Sequence, residues 1–430
     1  MSAIPAEFAF SARFRRYTPE LTALLARIAH ALGVIRAARV LPAVSDQLRA
    51  SARVGTIHYS NLIEGNELPV IEAERAARGE LSSDTRAKVE LVNYVAALDL
   101  LDERLDAGTL ALDADLLKEL HRRTTRDLGR DEDPHFRPHH EGAWRDGMAI
   151  VVDRVTGRVM HEGPPADEVG PRMHSMFEWL ARKRDEGDPA FVLAGVMHYG
   201  ITDVHPFADG NGRVARLFQA AVMMEAAVLP ERMFSFERYY AEDRVAYYAA
   251  LRSVRRNTFN MEEWLAYFLR GLAEEYERVA ATVEELTMLL PGGREALRLT
   301  ESQQRALATL RIQGRREFVR GEYEQAAGVG RGGASRDLRG LVEHGLDVVR
   351  GSGRSTRYLL AGSMPRRAGT RRGRPARWTD VRIERELRIF LQGRTTWPSP
   401  DEFDAAGLRS LYSAASRSGG ISRWRRIVGL

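Results

Sequence analysis

Two stretches of this chain, Ala190–Tyr199 and Val214–Val228, are apolar on nearly every side. A helix that is apolar all round has no face to give to water, so both belong in the middle of a helical core. Around them, Leu21–Leu41, Leu91–Leu105 and Leu110–Leu120 place apolar residues at helical spacing, and almost all of the first 300 residues reads as helix. The exception is Met148–Met160, where Ala149–Val152 and Arg158–Met160 are β-prone runs around Thr156-Gly157, a β-hairpin pattern that Pro164-Pro165 stops. The expected fold class is mainly α, a helical fold carrying one hairpin.

The chain has 430 residues, 44% of them hydrophobic, enough for packed cores, and no cysteine. That excludes a disulfide framework, a thiolate zinc site and a thiol nucleophile. Met1–Arg16 lacks the basic-then-apolar order of a signal peptide, and no apolar run reaches the length of a spanning helix. A cytoplasmic protein with no membrane partner is the expectation. The net charge of +5 hides a split: residues 1–296 total −9 and residues 297–430 total +14. All but three of the 64 basic residues are arginines, the exceptions being Lys88, Lys118 and Lys183, a skew that fits a GC-rich genome. The asymmetry between the halves survives that objection and suits the rear half to a polyanion.

Pro291-Gly292-Gly293 is the first strong break, and a domain boundary is expected near it. Beyond it, Thr300 and Gln303 form a capping-box pattern, further helices are expected at about Gly321–Ala327 and Gly333–His344, and short strands at Leu346–Arg350 and Ser355–Leu360. Three helices and a β-ribbon resemble the winged helix-turn-helix family, notably in Ser335-Arg336-Asp337-Leu338 and Gly353–Tyr358. The resemblance implies DNA binding, with Arg331, Ser335, Arg336 and Arg339 on or near the recognition helix and Arg354 and Arg357 on the wing. Residues 366–377 hold six arginines among small residues and read as a basic linker. The tail, with Trp378, Trp397-Pro398, Phe403, Tyr412 and Trp424, resembles the short helical repeat found beside homing endonucleases, a DNA-binding-like module.

The segment with the most chemistry lies between the two apolar helices: His205-Pro206-Phe207-Ala208-Asp209-Gly210-Asn211-Gly212-Arg213-Val214-Ala215-Arg216. Free N–H groups at a helix start, beside glycines that admit close approach, make an anion cradle. Arg213 and Arg216, three apart, can face one anion. His205 suits a general base and Asp209 a hard oxygen ligand for Mg²⁺. These are the parts of a phosphoryl or nucleotidyl transfer site. The stretch resembles the Fic family motif at every defining position, and the likeness extends over about residues 1–275. The resemblance implies an enzyme that moves AMP from ATP onto a Ser, Thr or Tyr hydroxyl of a target protein, with ATP and Mg²⁺ as cofactors. It implies His205 as base, Asp209 as metal ligand, and Asn211 with the Gly210 and Gly212 backbones around the phosphates. Arg213 would meet the diphosphate and Arg216 the γ-phosphate, while Phe207 would tether the loop. The hairpin would be the flap that docks the target backbone, with Val159, Met160 and His161 on it, and Gly142–Gly147 leads into it. Tyr248 would line the adenine pocket, although Arg255 stands where some relatives have Asn.

Ser60-Asn61-Leu62-Ile63-Glu64-Gly65 resembles the second signature of the family, in which the Glu pairs with the later motif arginine, here Arg216, and holds ATP in an unproductive pose. That implies an N-terminal inhibitory helix bearing Ser60, Glu64 and Gly65, pairing within one chain or across a homodimer. The expected domains are 1–108 (inhibitory helical region), 109–275 (Fic core), 276–296 (linker), 297–361 (winged helix), 362–377 (basic linker) and 378–430 (small helical module). Two alternatives stay open: a DNA-binding regulator whose core senses nucleotide, and a Fic enzyme that uses another donor or removes AMP. Pro134–Glu141 is dense in possible metal ligands but reads better as a target-contact loop, and His198 as a satisfied core histidine.

Overall fold

The computed structural model describes residues 10, 18–38, 42–128, 136–152, 159–229, 232–256, 260–288, 299–313, 315, 317–343, 347–350 and 356–360, and in the tail 383, 387, 390–391, 396–405, 408–418 and 420–428. The chain divides into two compact units, Met1–Ser363 and Met364–Leu430.

In the first unit the helices are α1 (Pro19–Ala37), α2 (Pro42–Ile63), α3 (Val70–Ala77), α4 (Arg86–Asp106), α5 (Ala114–Thr125), α6 (Ala166–Asp185), α7 (Ala190–Val204), α8 (Asn211–Glu225), α9 (Glu237–Glu242), α10 (Arg244–Arg256) and α11 (Glu262–Met288). Their starts are local sequence decisions. The side chains of Thr18, Thr85 and Asp113 accept N–H groups of Leu21, Lys88 and Leu116, giving otherwise orphaned donors a partner. The apolar helices α7 and α8 pack against each other at the centre, as their composition requires. Leu193, Val196, Met197, Leu217, Phe218 and Val222 are almost fully buried, each such side chain contributing about 1.5–3 kcal/mol. Trp264 of α11 seals the pair by donating to the Gly195 carbonyl at 2.8 Å.

The hairpin consists of β1 (Ile150–Val152) and β2 (Val159–Glu162), antiparallel, with Ile150 opposite Glu162 and an irregularity between Val151 and Val152. Its turn at Thr156-Gly157 lies outside the described residues. The helix–strand order of the last third is α12 (Glu301–Ile312), β3 (Glu317–Phe318), α13 (Arg320–Ala327), α14 (Arg331–Glu343), β4 (Asp347–Arg350) and β5 (Arg357–Leu360), with sheet order β3-β5-β4. Strand β3 has no sequence expectation behind it: two residues are too short for a periodicity, and Phe318 earns its place by stacking on Tyr323 and Tyr358. The capping box is present in both directions, Thr300 N–H to Gln303 Oε1 at 2.8 Å and Gln303 N–H to Thr300 Oγ1 at 3.2 Å. The break at Pro291-Gly292-Gly293 falls inside the first unit, because α12 packs against α2 and α11, with Ala308 joining the large core.

The second unit has α15 (Pro400–Ala405), α16 (Arg409–Arg417) and α17 (Ile421–Val428) around Ile383, Leu387, Phe403, Leu411 and Trp424. Phe403 packs against Phe390, Trp397 and Tyr412, so these aromatics serve its core. No described helix is long and apolar enough to cross a membrane.

Candidate functional site

The loop from α7 to α8 is held from below. Phe207 is fully buried and stacks face to face on His121 of α5, ring centroids 3.8 Å apart. His121 accepts the Gly142 N–H on Nδ1 at 2.9 Å, so Nε2 carries the proton and donates to the Asp209 carbonyl at 3.0 Å. The Asn211 side chain bonds both backbone groups of Phe207, at 2.9 and 2.8 Å. The Asn211 side-chain amide thus closes the loop, while its backbone N–H belongs to the first residue of α8. His121 escaped the sequence reading because a single histidine on a helix carries no spacing signal.

His205 follows α7 in left-handed conformation, φ 51° and ψ 58°. Its Nδ1 lies 3.3 Å from the Thr202 carbonyl, which can only accept, so Nδ1 is protonated and Nε2 keeps its lone pair. Burial lowers its pKa to about 4. At neutral pH the ring is therefore neutral, with Nε2 available as a base. A cavity of about 530 Å³ opens beside it, lined by Glu64, His161, Gly212, Tyr247, Tyr248 and Arg255 among others. Tyr248 is 39% exposed on its wall, with burial pushing the phenol up to about 12. His198 is satisfied on both nitrogens, by Gln219 at 2.6 Å and by the Tyr247 hydroxyl at 2.8 Å, which fixes α10 and hence this wall.

At the start of α8, Arg213 and Arg216 are buried. Arg216 donates through Nε to Ser60 Oγ (2.8 Å) and through Nη2 to the Ser60 carbonyl (2.9 Å) and Glu64 Oε1 (2.7 Å). Burial opposes its charge, yet the Glu64 carboxylate holds its pKa above the ordinary value. Glu64, just past α2, lies over the helix start, where a Cβ on Gly212 would strike its Oε1. Gly65 follows at φ 97°, a conformation that favours glycine and ends the helix. The contact joins residues 152 positions apart in the sequence.

Three donors, Arg213 Nε and Nη1 and Arg216 Nη1, are buried without a hydrogen bond, although Arg213 Nη1 keeps an ion pair with Glu90 Oε1 at 3.5 Å. Orphaned guanidinium N–H groups beside a helix N-terminus fit an anion of several oxygens, such as a nucleotide phosphate chain. Asp209 is 41% exposed beside them, its Oδ2 at 3.4 Å from Arg86 and 3.7 Å from Arg213. A carboxylate open to solvent next to that cradle fits a hard cation such as Mg²⁺. Arg86 is a further neighbour that no motif signalled.

On the flap, Met148, Ile150, Val151 and Val159 are exposed apolar side chains. His161 instead turns inward, its Nε2 2.9 Å from the Asp203 carbonyl, so only its backbone belongs to the flap surface. The Met160 side chain lies outside what is described. Arg255 pairs with Asp203 at 2.6 Å and reaches the Glu162 carbonyl at 3.3 Å, tying α10 to the flap. In the last third, Arg331, Arg336 and Arg339 are exposed on α14, with Ser335 half-buried. Arg357 is engaged by Glu317 at 3.0 Å across the sheet, and Arg354 lies outside the described residues. Among the described residues the one cluster with metal-ligand geometry is His139, His140 and Asp146. There the Arg137 N–H donates to His140 Nδ1 at 3.1 Å, which protonates the Nε2 facing Asp146 and makes it a donor instead of a metal ligand.

The three buried neutral histidines predict acid sensitivity. Burial lowers His121 and His198 to about 3 and His205 to about 4. Above pH 6.5 folded and unfolded chains are both neutral at these sites, and nothing is lost. Below it the unfolded chain takes up protons that the folded one refuses, so each histidine removes about 1.4 kcal/mol per pH unit until its folded pKa is reached. The Tm should fall steeply from pH 7 to 5; a flat Tm over that interval contradicts this.

The fold and site together define a helical protein with buried arginine donors at a loop–helix junction and an adjacent neutral imidazole. Residues 111–223, from just before α5 to the last turn of α8, match the family model described as Fic/DOC, and the chain carries a Fic/DOC family domain. It is 28% identical over 249 residues to a protein named Protein adenylyltransferase Fic from Nematostella vectensis, covering 56% of this chain and 51% of that one. It is 26% identical over 177 residues to the protein of the same name from Drosophila virilis, covering 40% and 33%. The chain thus spans about half the length of the first relative and a third of the second. Among solved structures, a Fic family protein from Desulfovibrio desulfuricans G20 superposes with a TM-score of 0.53 at 20% identity, covering 84% of this chain and 100% of that one. A Fic domain containing signaling protein from Bacteroides thetaiotaomicron gives 0.50 at 19%, covering 63% and 97%. At these identities the likeness is one of fold.

Proposed function

We propose that the protein is an adenylyltransferase that moves AMP from ATP to a Ser, Thr or Tyr hydroxyl of a protein target. The observation that carries this is a neutral His205, Nε2 free, lining one cavity together with Gly212 at the start of α8, the helix whose first two turns hold the buried Arg213 and Arg216 with three N–H groups lacking a hydrogen bond. His205 Nε2 takes the hydroxyl proton as the oxygen attacks the α-phosphorus. The bond from that phosphorus to the β-phosphate bridging oxygen breaks, and pyrophosphate leaves with its charge held by Arg213 and the α8 N-terminus. Asp209 is the residue that would hold Mg²⁺, which neutralises phosphate charge when bound. The exposed apolar flap offers a strand edge for the target backbone. Ser60 and Glu64 act as the brake by occupying Arg216 and the helix start.

The test is intact mass of the Glu64→Gly variant, in which the brake is removed, after incubation with Mg²⁺ and, separately, ATP, GTP, CTP or UTP. An AMP-sized increment with ATP alone supports the reading; an increment with another nucleotide replaces the donor, and none with any sinks the transferase.

A second reading concerns the last third, whose order of helices and strands resembles a winged helix. Arg305, Arg315, Arg320 and Arg357 each pair with a glutamate, whereas Arg331, Arg336 and Arg339 on α14 are exposed and make no ion pair with a described carboxylate. An unpaired basic helix face favours DNA, and α12 would carry its occupancy to α2. Changing all three arginines to glutamate should weaken duplex binding at least about tenfold and flatten its salt dependence. Equal binding by both proteins contradicts this assignment.

A further inference from the structure

Arg145 is a buried cation, 4% exposed, without a carboxylate partner among the described residues. Its guanidinium instead donates to four carbonyls: Nε to His205 at 2.8 Å, Nη1 to Gly147 at 2.6 Å, and Nη2 to Pro164 at 2.5 Å and Val204 at 3.4 Å. Its own backbone N–H donates to the Pro206 carbonyl at 2.9 Å. A buried charge is costly unless its donors are matched, and here four backbone carbonyls from two separate segments match them, which ties those segments together through one side chain.

The partners fall into two groups. Val204, His205 and Pro206 are the end of α7 and the two residues after it. A cation there suits the helix dipole and caps carbonyls the helix leaves open. It also grips the backbone of a non-glycine residue in left-handed conformation, which costs about 1–2 kcal/mol and needs support. Gly147 and Pro164 are the two feet of the hairpin, just before β1 and just after β2. The feet are also joined by the Gly163 N–H to the Ala149 carbonyl at 2.9 Å. A Cβ on Gly163 would lie 2.9 Å from Arg145 Nη2, so only glycine lets the guanidinium come this close. Arg145 is not among the described residues lining the nucleotide-sized cavity.

The geometry points to Arg145 as a positioning residue that sets the distance between the base His205 and the strand platform presenting the hydroxyl, and so governs transfer and not nucleotide binding. This rests on the transferase reading above. Near-attack placement accounts for the size of the expected effect, since about 1 Å of misplacement costs about 100-fold.

The experiment compares Arg145→Gln, Arg145→Lys and Gly163→Ala, each in the Glu64→Gly background. ADP affinity is read by calorimetry, transfer by intact mass, amide exchange of residues 147–152 and 159–163 by mass spectrometry, and the His205 ring by NMR titration. ADP affinity should stay within about twofold while transfer falls about 100-fold in Arg145→Gln and less in Arg145→Lys, which keeps the charge but not the fork. Exchange at both hairpin feet should quicken. His205 should titrate at higher pH in Arg145→Gln, having lost a nearby positive charge, and less so in Arg145→Lys. Gly163→Ala, which displaces the guanidinium without removing it, should show the same split and decides the matter if the Arg145 variants do not fold. Parallel loss of ADP affinity and transfer would reduce Arg145 to a structural role, and unchanged transfer would overturn the proposal. If the Glu64→Gly parent shows no transfer, the reaction assigned above has failed, and hairpin exchange and the His205 titration still decide Arg145.

Discussion

Glu64→Gly should raise automodification by Mg²⁺-ATP about 10- to 100-fold over the unaltered protein, the size of a site coupling of about 1–3 kcal/mol. Three facts combine in this number. The Glu64 carboxylate bonds Arg216 at 2.7 Å, it lies where a Cβ on Gly212 would collide with it, and Arg216 is the second of the buried arginines with an orphaned N–H. Phosphate oxygens and the carboxylate therefore compete for one guanidinium and one helix start. Removing the carboxylate also leaves Arg216, 1% exposed, with only the Ser60 hydroxyl and carbonyl. Breaking a buried pair by deleting one partner costs about 3–5 kcal/mol, less here because Glu64 keeps 31% exposure. The variant should thus melt lower when empty and gain more from ATP than the parent does, as γ-phosphate takes over the lost charge. Thermal shift with and without ATP, beside the rate by intact mass, checks both halves. Equal rates would remove Glu64 from the mechanism, and a larger ATP shift in the parent would reverse the assigned competition.

His205→Ala should abolish transfer, a loss of at least about 100- to 10,000-fold, with ADP affinity unchanged. The ring's Nδ1–H is committed to the Thr202 carbonyl, which leaves Nε2 as the proton acceptor on the cavity side. The donors proposed to meet phosphate belong to Arg213, Arg216 and the start of α8, so binding should not need the imidazole. The pH profile follows from the same burial. With a pKa near 4, His205 remains an active base well below the usual histidine range, and the acid limb of the rate should lie below pH 6.5. Short assays are needed, since the fold itself loses stability over that range. A rate that halves near pH 6.5, or a variant that keeps its activity, would show that another group takes the proton.

Much of this was legible along the chain. The helices α7 and α8 follow from composition alone, because nothing but burial accommodates a helix without a polar face. The motif between them is contiguous, so its histidine, aspartate and two arginines could be read together from spacing. Glu64 is legible by its four-residue offset from Ser60, but nothing local says that it meets Arg216, 152 residues away. His121, Arg145 and Arg255 carry no periodic signal, since one polar side chain on a helix or loop has the same pattern whether it faces water or a distant carbonyl.

The sequence by itself determined the elements, the loop chemistry and the charge asymmetry of this protein, because helix periodicity, capping and motif spacing are properties of near neighbours. The tertiary structure alone decided which carbonyls Arg145 grips, that Asn211 closes its loop, that His161 turns inward and that α12 lies on the helix leading to Glu64. Each of those depends on where separate segments of the chain meet, and burial makes such a meeting count by denying every polar group water as its alternative partner.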